Sequence, residues 1–242
     1  MIPPDAASQS EAGAFPQTRW SLVLEAQDDD PAALAELCRA YWYPLYCYAR
    51  RLCPEVADAE DLTQSFFESI LSRQSLKLAR EERGRLRSFL LTSLKHFSIQ
   101  QYRRGQAQKR GGGVMLPGFD SDEAQERFAR DYEDGRSPEV EFDRAWAREL
   151  LAGVLTRLRD AYRKAGKGEV FEALQDQLTG GGTESYGEAA SSLGLSPGAV
   201  RFAAFKLRER YRALLKEAIR ETVSSEADAD EELAHLREIF AV

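Results

Sequence analysis

The side chains spaced for chemistry in this sequence are cations, aromatics and amides rather than an acid, base and nucleophile. Arg201, Phe202, Phe205, Lys206, Arg208 and Arg210 stand off an apolar stripe of Val200, Ala204, Leu207, Tyr211 and Leu214, which gives one helix a basic outer face. A second face carries Thr92, His96, Gln100 and Arg103 at i, i+4, i+8 and i+11, with Lys95 and Arg104 beside them. A third is acidic, with Asp58, Glu60, Asp61, Gln64 and Glu68 opposite Leu62, Phe66 and Ile70. Each also has an ordinary reading as solvated surface: acids in a first turn suit the helix dipole, and a lone histidine carries little information. No active site assembles. The chain has 2 histidines, no GxSxG and no metal-ligand spacing, and Gly111, Gly112 and Gly113 lack both a preceding strand and a following GK[ST].

A basic helical face needs a support, and the sequence around it reads as a helix-turn-helix. Ser185 can cap a short helix through Tyr186, Ala189, Ala190 and Leu193. Gly194 follows where a helix end wants positive φ, and Leu195 can plug the turn. Ser196 and Pro197 then restart a helix as cap and first-turn proline. Short helix, glycine turn and basic second helix can enter a major groove. The plainer alternative is a helical hairpin with a charged face.

The remaining elements are helical too. Residues 1–14 are small, polar and proline-containing, as in a disordered terminus, and a short helix follows over 15–23 with Thr18 as its cap. From Ala32, the positions Leu34, Leu37, Cys38, Tyr41, Leu45, Tyr48 and Leu52 repeat at three-and-four spacing. Pro44 should kink that helix or break it near Tyr43, and Pro54 should end it. Helices are predicted over 57–71 and from Arg87 through Phe89, Leu90, Leu91, Leu94 and Phe97. Gly111 opens a linker whose acid-rich part, 120–134, reads as a flexible or weakly helical connector. Ser137 and Pro138 open a helix through Trp146, Leu150, Leu151, Val154 and Leu158; Val170, Phe171, Leu174 and Leu178 mark another, and Gly180, Gly181 and Gly182 lead to the helix-turn-helix. No segment alternates, so the chain reads as all-α in two helical domains.

Composition bounds the partners. A chain of 242 residues holds one large domain or two small ones. A net charge of −7 argues against nonspecific coating of nucleic acid but leaves room for a local basic patch. With no bilayer-length apolar run and no basic-then-apolar leader, a cytoplasmic protein without membrane partners is expected. Cys38, Cys47 and Cys53 have neither CxxC spacing nor a local histidine, so buried reduced thiols are expected, with no metal or cofactor.

The order of these elements resembles bacterial RNA polymerase sigma factors of the extracytoplasmic-function type, sigma-70 family. DAEDLTQSFFESI looks like the polymerase-binding helix of sigma region 2, RSFLLTSLKHFSIQQYRR is similar to the helix that reads and opens the −10 element, and SYGEAASSLGLSPGAVRFAAFKLRERYR looks like the region 4 helix-turn-helix that reads the −35 element. The resemblance implies a disordered 1–14, region 2 over 15–105, a flexible linker over 106–136, region 4 over 137–221 and a C-terminal extension over 222–242. It implies promoter DNA and core RNA polymerase as partners, the latter through the β′ coiled coil and the β flap, and it admits an anti-sigma factor. Asp58, Glu60, Asp61, Gln64 and Phe67 would bind polymerase, where acids can meet a basic coiled coil. Lys95, Arg103 and Arg104 would hold −10 phosphates while His96 and Gln100 address bases. Pro197, Arg201, Phe202 and Phe205 would lie nearest −35 base edges, Arg201 against a guanine and a phenylalanine against a thymine methyl, with Lys206, Arg208 and Arg210 on phosphates.

This chain departs from the family at several of those positions. His96 and Gln100 stand where Asn and Asp are usual, and Phe202, Ala203 and Phe205 where small, basic or histidine residues are typical. The alternative is a helix-turn-helix regulator that binds DNA without recruiting polymerase; DAEDLTQ and the basic helix after it argue against that. In the extension, Leu233, Leu236, Ile239 and Phe240 form a short apolar stripe that needs a covering surface from this chain, an anti-sigma partner or polymerase. The acids before the stripe suggest a tail that restrains region 4 in the free protein and whose deletion does not lower the melting temperature; the plainer alternative is extra core packed on region 4.

Overall fold

The structure, a computed structural model, describes residues 31–71, 85–105, 121–178, 186–223 and 225–240. The disordered terminus over 1–14, the helix over 15–23, the cap at Ser185 and the glycines at 111–113 and 180–182 lie outside those residues. The described residues form nine α-helices and one 3-10 turn, with no strand among them, in line with the all-α expectation.

Helix α1, Pro31–Leu52, is the centre of the first half. Every residue from 41 to 49 is buried, so this segment is core around its whole circumference rather than along one stripe. Trp42 stacks on Tyr46 with centroids 5.1 Å apart and planes 7° from parallel. Of the kink or break expected at Pro44, the break does not occur: Pro44 lies inside a continuous helix. A proline inside a helix costs about 3 kcal/mol, whereas each large apolar side chain buried contributes about 1.5–3 kcal/mol, and Tyr41, Leu45 and Tyr46 are wholly buried around it. Helix α1 ends before Pro54 as expected, with Arg50 donating to the Cys53 and Pro54 carbonyls at 3.3 and 3.1 Å. Cys38, Cys47 and Cys53 are free, and burial pushes the thiols of Cys38 and Cys47 up to about 11 and about 12.

Helix α2, Val56–Leu71, packs on α1 and buries Phe66, Phe67 and Ile70, while Thr63 donates to the Ala59 carbonyl at 2.8 Å. Helix α3, Leu86–Gly105, crosses α2. Part of the stretch read as a flexible or weakly helical connector is a helix, α4, Ser121–Asp131. Phe128 anchors it, edge-on to Tyr46 at 6.4 Å and under the Arg50 guanidinium at 5.2 Å; Arg127 pairs with Glu149 and Arg148 with Asp131. Asp131, one of the segment's acids, is thus taken up by a contact to Arg148.

Helix α5, Pro138–Lys164, is capped by Ser137, whose Oγ accepts from the Val140 N–H at 3.4 Å. It packs along α1 and against α6, Gly168–Leu174, and α8, Pro197–Arg220. Its ion pairs join its start to α1 through Glu141 and Arg51 and to α3 through Glu139 with Lys95 and Asp143 with Arg87, and its end to the end of α8 through Arg157 and Glu221. A 3-10 turn, Gln175–Gln177, follows α6, and α7, Tyr186–Leu193, leads into α8.

The last helix, α9, Glu226–Phe240, lies on α5 and α8, so the surface that covers its apolar stripe belongs to this chain. Leu236 is buried, Leu233 and Ile239 half-buried and Phe240 exposed. Helix α9 also reaches α3. Glu232, wholly buried, accepts from Nε and Nη2 of Arg87, the latter at 3.0 Å, and Asp143 takes Arg87 Nη1 at 2.5 Å. The Arg87 guanidinium lies 4.9 Å from the Trp146 ring centroid. Burial alone would depress Arg87, but the hydrogen bonds and charge of Glu232, with the charge of Asp143, outweigh it and hold the guanidinium above its ordinary range.

This pairing gives the tail a packing role against the rest of the chain, since Glu232 supplies the main partner of the buried Arg87. Glu232→Ala should lower the unfolding free energy by about 3–5 kcal/mol, because a buried charge would lose its main partner. The double substitution Arg87→Met with Glu232→Leu should recover most of that loss. Urea denaturation followed by circular dichroism compares the three proteins; an equal loss in the single and double variants would contradict a charge-desolvation cause.

Candidate nucleic-acid interface

The first candidate surface is the α7–α8 unit. Ala189 and Ala190 are buried where α7 crosses α8, and small side chains there permit close approach. The turn is closed by Gly194 at φ +65°, with its N–H donating to Ser191 at 3.4 Å and the Leu195 N–H to Ala190 at 3.0 Å. Leu195, expected to plug this turn, is 41% exposed: the two backbone bonds close it without a side chain. Ser196 caps α8, accepting from the Ala199 N–H at 3.3 Å, with Pro197 in the first turn as predicted.

Val200, Ala204, Leu207 and Leu214 are buried and Tyr211 half-buried, which turns the remaining face of α8 outward. Pro197, Arg201, Phe202, Phe205, Lys206 and Arg210 are all exposed. Lys206 pairs with Glu209 at 2.7 Å and lies 5.9 and 5.8 Å from the Phe202 and Phe205 centroids. Arg208 differs from its neighbours. It is half-buried and donates to the Gln177 carbonyl at 3.4 Å and the Tyr186 hydroxyl at 3.1 Å, so it ties α8 to α7 and the 3-10 turn rather than reaching outward.

The second surface lies where α2 and α3 cross. An open cleft of about 520 Å³ is walled by Phe66, Phe89 and Phe97 and edged by Thr92, His96 and Gln100. Phe66 meets Phe97 edge-on at 5.8 Å, which fixes the wall. Flat apolar walls with an imidazole and an amide at the edge can stack on and hydrogen-bond a planar heterocycle. Lys95 does not join them; it pairs with Glu139 at 2.7 Å. Arg103 is exposed at a different cleft, about 650 Å³, which also takes in Asp58, Asp61, Leu62, Ile99 and Tyr102. The five residues expected to act together on the −10 element are therefore divided. His96 and Gln100 share one cleft, Arg103 lies with the acids, Lys95 is bound to α5, and the Arg104 side chain lies outside the described residues.

The acidic face is also partly redrawn. Asp58, Asp61 and Glu68 are exposed, and half-buried Gln64 donates to Glu68 at 3.4 Å. Glu60 is half-buried, and desolvation together with Asp122 and Asp61 raises its carboxyl above the ordinary range. Phe67, expected at the polymerase surface, is wholly buried 5.8 Å from Phe66, so its ring belongs to the core. Sequence reasoning missed Tyr102, 72% exposed, and Ile99, 52% exposed, beside the acids. Their exposure follows from how α3 crosses α2, which spacing along α3 alone does not encode.

Residues 37–108, somewhat under a third of the chain, match the family described as Sigma-70 region 2. No curated protein and no solved structure matches the chain. The match takes in most of α1 and all of α2 and α3, so this part of the chain is similar to region 2 of the sigma-70 family, whose members are transcription-initiation factors that bind core RNA polymerase and promoter DNA. No helix among the described residues is long and apolar enough to cross a membrane.

The placement of Arg208 separates it from Lys206 in a thermal melt. Arg208→Ala should lose about 1 kcal/mol of stability through its two hydrogen bonds, whereas Lys206→Ala, an exposed pair, should stay within about 0.5 kcal/mol of the wild type. Equal melting temperatures for the two variants would mean that Arg208 is not a structural tie.

Proposed function

We propose that this protein is a sigma factor of the extracytoplasmic-function type, cytoplasmic and non-enzymatic, with region 2 over 15–105, a linker over 106–136, region 4 over 137–221 and an extension over 222–242. The observation that carries the reading is the combination, in one chain, of a region 2 match over α1 to α3 with a downstream helix-turn-helix whose outer face is basic and aromatic.

In this reading the α2 acids Asp58 and Asp61, with Gln64 and Glu68, meet a basic coiled coil of the polymerase β′ subunit, where opposite charge sets docking rate and register. Tyr102, Ile99 and Arg103 extend that surface rather than the DNA surface, because they share a cleft with the acids. The α2–α3 cleft receives a base extruded from the −10 element, stacked on phenylalanine rings and hydrogen-bonded by His96 and Gln100. Helix α8 enters the −35 major groove by its first turns, so Arg201 is within reach of a guanine edge while Lys206 and Arg210 reach phosphates. Region 4 would also meet the β flap, and an anti-sigma factor could cover any of these surfaces.

Transcription from purified components tests the reading. Core polymerase should initiate at a defined promoter only when this chain is added; sequence-specific DNA binding without initiation would point instead to a regulator that does not recruit polymerase. Asp61→Arg with Gln64→Ala should weaken core binding in a pull-down while circular dichroism shows an unchanged fold. Lys206→Ala should weaken DNA binding alike for all sequences and reduce the slope of log K against log salt by about 1.

A further inference from the structure

Phe202 and Phe205 are 64% and 56% exposed on the helix that the proposed function places in a major groove. At about 100° per residue, they lie about 200° and 140° around α8 from Val200, opposite the buried stripe. Arg201 and Lys206 fall at about 100° and 240°, so the outer face runs arginine, phenylalanine, phenylalanine, lysine. Both phenylalanines stand within 6 Å of the Lys206 ammonium. An apolar pair flanked by cations matches a major groove, whose walls are phosphate and whose floor is base edges.

A phenyl ring has no hydrogen-bond donor or acceptor and cannot read the donor and acceptor code of base edges. Among major-groove edges, the strongly apolar feature is the thymine C5-methyl. We propose that Phe202 and Phe205 are specificity-determining residues that select thymines in the −35 element by covering their methyl groups. The inference rests on the sigma reading for the site's location, and its chemistry is a property of the helix face itself. The same burial takes two exposed rings out of water, which gives the element an affinity term that does not come from counterion release.

The test selects duplexes from a library randomised through the −35 region, once with holoenzyme assembled from core polymerase and the full chain, and once with the full chain alone. The selected duplex is then synthesised with deoxyuridine in place of each deoxythymidine, which removes only the methyls. Wild-type binding should weaken about fourfold for each contacted thymine, the worth of one buried methyl. Phe202→Ala with Phe205→Ala should bind more weakly and no longer distinguish the two duplexes, while Phe→Leu at both positions should keep part of the discrimination. Selected sequences without thymine, equal binding of the two duplexes by the wild type, or an undiminished uracil penalty in the double alanine variant would each overturn the inference. So would loss of core binding by that variant with its DNA preference intact, since the rings would then belong to a protein contact. Initiation at the selected promoter is scored separately. Normal initiation with no uracil effect overturns thymine reading alone, and a uracil effect without initiation supports thymine reading while overturning the sigma reading.

Discussion

A guanidinium taken out of water must be matched by anions at every moment, and in this fold that requirement falls on Arg87. Its partners come from two other helices, Glu232 from α9 and Asp143 from α5, and its cation lies against Trp146, also of α5. Three helices distant in sequence are thereby held in one register. One residue earlier, the Leu86 N–H donates to the Thr222 carbonyl at 3.2 Å, so the turn between α8 and α9 also satisfies one of the open donors at the start of α3. Arg85 adds Glu231 at 2.5 Å. The direction in which α3 leaves this anchor decides where His96 and Gln100 stand relative to Phe66 of α2. A packing constraint at one end of α3 thus fixes the cleft along it.

The same constraint explains why two candidate surfaces share one body. Helix α5 is packed on α1 and buries Phe142 and Trp146 wholly, and it is tied to the end of α8 by Arg157 and Glu221 at 3.0 and 3.1 Å. Because it is one helix, whatever orients its start also orients its end. Lys95, on the cleft-bearing helix, is tied to the first turn of α5 at Glu139, whose carboxyl is lowered mainly by that hydrogen bond. The basic groups of α3 are consequently divided between structure and surface, whereas those of α8 remain mostly outward.

Local signals carried the helix boundaries well. Ser137 with Pro138 and Ser196 with Pro197 are caps whose geometry involves only neighbouring residues, and Gly194 takes the positive φ that its position after Leu193 called for. The outward face of α8 was legible for the same reason, since a single helix with a clean apolar stripe has only one other side. What failed depended on contacts distant in sequence. Pro44 does not break α1, which is buried on all sides there; Phe67 shares its periodicity with residues of either face, and Arg208 finds its acceptors in Gln177 and Tyr186. Arg87 looked like a helix start, and nothing within its own segment announces Glu232. The division of Lys95, His96 and Arg103 among three surroundings is likewise a result of how α3 crosses its neighbours.

On the sigma reading, the packed body sets a geometric problem that the chain must solve. Elements named −35 and −10 are centred about 25 base pairs apart, which is about 85 Å along B-form DNA at 3.4 Å per base pair. A compact body the size of the described part has a radius of gyration of roughly 16 Å, hence a diameter of roughly 40 Å. Helix α8 and the α2–α3 cleft cannot reach both elements while α5 and α9 hold them together. Engaging both would require parting α5 from α1, or bending α5, and releasing Arg87 from Glu232. Each of those contacts is a desolvated apolar or ionic pairing, so DNA charge alone, which acts mainly on exposed cations, is poorly placed to break them. A large protein surface that covers the newly exposed side chains as they part is better suited. Core polymerase would then act on this chain as more than an anchor: its binding energy would be the source of the separation that lets one chain read two distant elements.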